Sequence, residues 1–118
     1  MKNRKIEFRA FSKNKMYYLP VINGENKNWL QIDKTGVSVG TENGLILDFQ
    51  LMQFTGSFDK NGKKIFEGDI LKEVNFGYTY EVIYKDNSFV CNSDIGISPL
   101  FETENFEVVG NIFENALT

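Results

Sequence analysis

Histidine is absent from this 118-residue chain, and cysteine occurs once. The first absence removes Ser-His-Asp and Cys-His catalysis together with the commonest metal ligand. One thiol without imidazole cannot assemble a zinc site, nor can it form an internal disulfide, so nothing calls for an oxidising compartment. Long apolar runs are missing too. None nears the roughly eighteen residues of a membrane-crossing helix, and Met1-Lys2-Asn3-Arg4-Lys5 leads into charged alternation in place of an apolar signal region. A cytoplasmic protein without membrane contact is the expectation.

What is present points to one globular domain over residues 1–118 with one core, since 42% of residues are apolar and 25% charged. Eleven Phe, five Tyr and one Trp favour sheet, because flat side chains pack well on a pleated surface. The net charge of −3 is unevenly spread. Residues 1–16 hold Lys2, Arg4, Lys5, Arg9, Lys13 and Lys15 against Glu7 alone, a net +5, which leaves −8 on the other 102. Such polarity marks either an arm for an anionic partner or a basic hairpin lying beside acidic neighbours.

Ile6, Phe8 and Ala10 alternate with polar residues as in a half-buried strand. Ser12-Lys13-Asn14-Lys15 reads as a turn into Met16-Tyr17-Tyr18-Leu19, a hairpin that Pro20 interrupts. Residues 23–28 read as loop. Trp29-Leu30-Gln31-Ile32 is an apolar run open to strand or short helix, so that residues 20–48 stay undecided between the two. Turn clusters at 33–36 and 40–44 flank Val37-Ser38-Val39, and residues 45–54 read as a buried strand or a two-turn helix. Further on, Asn61-Gly62 is the strongest short turn signal. Strands are expected at 65–66, 69–74, 78–85, 88–92 and 106–113, with turns at 75–77 and 86–87 and a loop at 93–99. Short strands so closely joined predict a mainly β protein, a small barrel or sandwich.

Leu51-Met52-Gln53-Phe54-Thr55-Gly56, Asp59-Lys60-Asn61-Gly62-Lys63 and Ile65-Phe66-Glu67-Gly68-Asp69-Ile70 occur in that order. Phe8-Arg9-Ala10-Phe11 opens the chain, and Val108-Val109-Gly110-Asn111-Ile112-Phe113-Glu114-Asn115 closes it. Together these blocks resemble the YopX family of phage and prophage proteins. The resemblance implies a β-rich protein of a bacterial host cell: a β-hairpin region within an N-terminal part, residues 1–54, and an SH3-like barrel part, residues 55–118. No catalytic residue can be carried over with it.

The shared residues also have a purely structural account. Gly62 and Gly68 suit chain reversals, Asp69 can accept backbone amides at a corner, and Gly110-Asn111 suits a bulge. Gln53, Thr55, Gly56, Asp59, Asn61 and Glu67 complete this expected structural motif, and the other reading of the loop at 58–64 is a binding role. As a calcium loop with Gly62 sixth, the segment places Ser57, Asp59 and Asn61 acceptably but puts Gly68 where a bidentate Glu belongs. A looser divalent site from Asp59, Glu67 and Asp69 is the weaker alternative.

Cys91, following Phe89-Val90 in a strand, reads as inert filling. Asp94, Glu102, Glu104 and Glu107 are available for acid–base chemistry, but sequence fixes no separation between them. Gly36, Gly40 and Gly44 lack the Lys-Ser or Lys-Thr ending of a phosphate loop. The expectation is therefore neither enzyme nor metal or cofactor carrier. The chain reads as a phage or prophage accessory protein that binds a host or phage protein and can self-associate through a sheet edge. The alternative is weak nucleic-acid binding by Arg4, Lys5, Arg9, Lys13 and Lys15, with Tyr17 or Tyr18 stacking; Phe76, Tyr78 and Tyr80 are further candidate aromatics.

Overall fold

The computed structural model describes residues 6–19, 28–100 and 103–114. Arg4, Lys5, Pro20, Glu102, Asn115 and most of the loop read at 23–28 lie outside them. Over the described residues the chain is antiparallel β, with no α-helix and one 3-10 turn at Thr103–Asn105. It divides into two compact units, residues 6–53 and a second built from residue 54 onward.

In the first unit, β1 (Phe8–Ser12) and β2 (Lys15–Leu19) form the expected hairpin, with Ala10 opposite Tyr17. Lys13 and Asn14 both take positive φ, 50° and 67°, the two-residue geometry whose twist matches that of the flanking strands. The apolar run at 29–32 is a strand: β3 (Trp29–Asp33), β4 (Gly36–Thr41) and β5 (Gly44–Ile46) make a meander in which Leu30, Val39 and Ile46 stand in register. That row packs with Ala10 and Leu19 as a core, and Phe8, Phe49 and Leu51 close around it. Gly40 is bare because the Trp29 ring lies over it; a Cβ there would fall within 2.2 Å of the indole.

Residues 45–54 are neither one strand nor a helix. β5 ends at Ile46, and β6 (Gln50–Phe58) begins four residues later. The run is apolar along its length because its ends serve different sheets: Leu45 and Ile46 pair with β4, whereas residues 50–53 pair with β1.

The second unit takes the rest of β6, then β7 (Lys64–Phe66), β8 (Asp69–Glu73), β9 (Thr79–Lys85), β10 (Ser88–Ser93), β11 (Gly96–Pro99) and β12 (Phe106–Asn111). The last five form one sheet in the order β11-β10-β9-β8-β12, curled into a half-barrel. Its inward residues Leu71, Val82, Cys91 and Val108 bury with Ile65 against Tyr80, Leu100 and Phe106. Among the described residues each unit thus holds a cluster of buried apolar side chains of its own. The loop expected at 93–99 is a turn followed by strand β11. Pro99 is accommodated because β11 ends the sheet, where a missing ladder donor costs little.

Corners of this unit are held by the shared motif. Asp59 is buried, and its carboxylate accepts the Asn61 and Lys63 amides on Oδ1 at 2.8 and 2.9 Å. On Oδ2 it accepts the Val108 amide of β12 at 2.9 Å, forty-nine residues away. Beside it, the Lys60 amide donates to the Phe106 carbonyl. Asn61 keeps a negative φ and Gly62 alone is left-handed, at 79°, so Asn61-Gly62 is not the two-residue turn the sequence suggests. The Asp59 side chain gathers a wider loop instead; Asp86-Asn87, at 52° and 69°, is the tight hairpin.

Thr55 donates its hydroxyl to the Ile65 carbonyl and accepts the Ser57 amide, while the β6–β7 register shifts between Phe54 and Phe58, around Gly56. Asp69 accepts the Phe66 amide at 2.8 Å. Gly68, left-handed at 89°, donates to the Val82 carbonyl and accepts from Ile112. β12 carries the bulge between Val108 and Gly110 and stops at Asn111, whose side chain accepts the Phe113 and Glu114 amides and closes a turn where a longer strand is expected.

Burial alone would raise the Asp59 pKa, but the amides of Val108, Lys63 and Asn61, with the Lys63 charge nearby, outweigh it and hold the carboxyl below the ordinary 3.8. Its contribution to stability is therefore present above pH 3.8 and is lost as pH falls through the depressed folded value. Asp59→Asn offers one oxygen in place of two and sets an NH2 against an N–H. Urea unfolding at neutral pH should show a loss of about 2–3 kcal/mol, and the variant's decline below pH 4 should be shallower than that of wild type. Burial pushes the Cys91 thiol up to about 11. At pH 8 only about one thiol in a thousand is ionised, so a thiol-specific chromogenic reagent should leave native protein unlabelled and react fully once urea unfolds it.

Candidate binding surface

Among the described residues of the basic hairpin, Arg9 and Lys15 lie on opposite faces of the strand pair. Arg9 is 4% exposed, and on β1 it faces Tyr18 across the ladder. Tyr17 follows Lys15 onto the opposite face, with the Lys15 ammonium 5.1 Å from its ring centroid. Tyr17 and Tyr18, as strand neighbours, point to opposite sides and cannot act as one stacking platform. Lys13 is exposed in the turn.

The motif residues are engaged in the corners described above. Gln53 and Glu67 are half-buried and have partners of their own. Both oxygens of Asp59 and one of Asp69 are taken by main-chain amides, which leaves the loop around 58–64 few free ligands for a cation. Among the described residues no three carboxylate or thiol side chains cluster as a metal cage. Asp94 lies in the β10–β11 turn at one end of the sheet order, Glu107 on β12 at the other, and Glu104 in the 3-10 turn that precedes β12.

A surface does form on the outer face of the five-stranded sheet. Strand alternation that sends Leu71, Val82 and Cys91 inward sends Ile70, Glu81, Asn92 and Ile97 outward. These four stand in register across β8, β9, β10 and β11. A groove of about 260 Å³ opens here, lined by Ile70, Thr79, Tyr80, Glu81, Asn92, Ser93 and Asp94. It shares Thr79, Ser93 and Asp94 with a second hollow of about 210 Å³ walled by Tyr78 and Ile95, so the two are continuous. Phe76 stands beside Tyr78 with ring centroids 6.3 Å apart. Ile95 and Phe76 are 77% and 78% exposed, and Tyr78 56%.

Glu73 fixes the aromatic end. Its carboxylate accepts the Phe76 amide, its amide donates to the Tyr78 carbonyl, and its carbonyl accepts from Gly77. At the other wall, Ser93 Oγ accepts the Ile95 amide and so shapes the turn that lifts Ile95 outward. Sequence reading names Phe76, Tyr78 and Tyr80 but misses Glu81, Asn92, Ile95 and Ile97. The alternation of Ile95 and Ile97 across Gly96 was the available signal, hidden by treating Gly and Pro as marks of a loop.

The chain matches the family described as YopX protein over residues 7–117. Among curated proteins no significant match was found. The solved structure of protein EF1440 from Enterococcus faecalis is similar at a TM-score of 0.62 and 24% identity, covering 97% of each chain. That of YopX from Bacillus subtilis is similar at 0.66 and 17%, covering 93% of this chain and 94% of its own. At such identities the two structures speak for the fold, and the family match along nearly the whole length makes this chain a member of the YopX family.

Proposed function

We propose that this YopX-family chain is a phage- or prophage-encoded accessory protein that performs no catalysis, acts in the cytoplasm of a bacterial host, and binds a protein through the outer groove of its C-terminal unit. In this reading residues from 54 onward form an SH3-like half-barrel that presents the groove, and the first unit carries the basic hairpin.

The observation that carries the reading is the cluster of exposed Phe76, Tyr78 and Ile95 beside a groove. Three large apolar side chains left in water on one small surface are what a protein contact would cover, whereas scattered exposed residues need no such account. Aromatics with a polar rim are also the usual make-up of binding hot spots. The nucleic-acid reading gains nothing comparable, since Arg9 is buried and the two tyrosines diverge.

Tyr78→Ala combined with Ile95→Asp should leave the thermal midpoint within a few degrees of wild type, because neither side chain belongs to a core cluster. Crosslinking in cells carrying the phage should then lose the protein contacts that wild type makes. Equal crosslinking by wild type and by the folded double variant would remove the reading.

A further inference from the structure

The carboxylates in the groove restrict what can dock there. Glu81 is half-buried in the centre of the outward row, between Ile70 and Asn92, and Asp94 lies where the two hollows meet. Among the described residues neither side chain takes part in a hydrogen bond or an ion pair. Covering Glu81 with a wholly apolar partner would bury an unpaired charge, which is strongly unfavourable, and a nucleic acid would bring phosphates against both carboxylates. The fitting occupant is a short protein segment that carries cations next to a large apolar side chain: the cations for Glu81 and Asp94, the apolar group for Tyr78 and Ile95.

This chain contains such a segment. Lys2, Arg4 and Lys5 precede Ile6, which is 63% exposed where the described residues begin. They belong to the end of the chain with net charge +5, whereas the groove belongs to the remainder at −8. Building on the reading of the groove as a protein-binding surface, we propose that residues 2–6 of a second copy of the chain occupy it, with Ile6 against Tyr78 and Ile95 and the cations of Arg4 and Lys5 facing Glu81 and Asp94. Self-association then comes from charge segregation along the sequence and weakens as salt screens it.

Light scattering of the full chain at about 100 µM should show a dimer or larger species in about 50 mM salt, with at least a tenfold weaker association in about 500 mM. Glu81→Lys with Asp94→Lys should be monomeric at low salt, and so should Arg4→Glu with Lys5→Glu, each retaining the wild-type circular dichroism spectrum and thermal midpoint. Mixing the two monomeric variants should restore a complex, since each supplies the charge that the other now needs. A wild-type chain that stays monomeric at low salt would overturn the inference, as would an oligomer indifferent to either charge reversal or a mixture that fails to reassociate. If the chain is monomeric while Tyr78→Ala with Ile95→Asp still abolishes crosslinks to another protein, the groove keeps its role and only its occupant is wrong.

Discussion

The Asp59 carboxylate ties the C-terminal unit together in a way that no apolar contact there could. Hydrophobic packing is non-directional: Ile65, Leu71, Val82, Cys91 and Val108 would bury much the same area if β12 slid along β8. A slip of one residue would nevertheless turn every side chain of β12 to the other face. The Val108 amide on Asp59 Oδ2 fixes that register from outside the β8–β12 ladder, and the Lys60 amide on the Phe106 carbonyl repeats the constraint two residues away. The other Asp59 oxygen meanwhile gathers the loop from which the side chain projects. One buried charge, fully supplied with amide donors, thus sets a local loop and a contact across forty-nine residues together.

The bulge in β12 follows from that anchoring. Val108 must face inward to reach the core, and Asn111 must stand opposite Asp69 to close the final turn. Strict alternation over those three steps would put them on opposite faces. The extra residue, Val109, restores the phase. It is left outside the pairing and projects toward water, the ordinary consequence of a bulge. Gly68 serves the same end of the sheet, bridging β9 and the turn after β12 through its own amide and carbonyl.

How much of this was legible beforehand depended on whether a residue acts through local or distant partners. Lys13-Asn14 and Asp86-Asn87 were readable as turns because the preference for positive φ is local, and the strands of the second half were readable from their period-two pattern. Asn61-Gly62 is a turn as its residues suggest, but a wider one than the tight two-residue kind, because the Asp59 side chain gathers the loop while also reaching β12. Residues 45–54 could not be divided from sequence, since the division reflects which sheet each end joins. Arg9 looked like a surface cation and is buried, because membership of a face is decided by what packs over a strand and not by the strand's own residues. The groove was the least legible feature. Ile70, Glu81, Asn92 and Ile97 come from four strands and become neighbours only through ladder register.

The residues through which the chain resembles its family and the residues that line the groove are almost separate sets. Thr55, Asp59, Gly62, Gly68, Asp69, Gly110 and Asn111 act on the backbone as acceptors, reversals or bulge positions, and so specify where strands begin, end and align. Of the groove-lining side chains only Ile70 falls in the shared blocks, and it sits in the ladder next to Asp69. A scaffold specified from its corners leaves the outward positions of its central strands under little structural constraint, because their side chains hold nothing else in place. Substitutions at Glu81, Asn92, Asp94 or Ile95 can therefore alter the shape and charge of the groove without altering the strand order beneath it. The fold accordingly constrains the frame of the groove much more tightly than the chemistry of the side chains that line it.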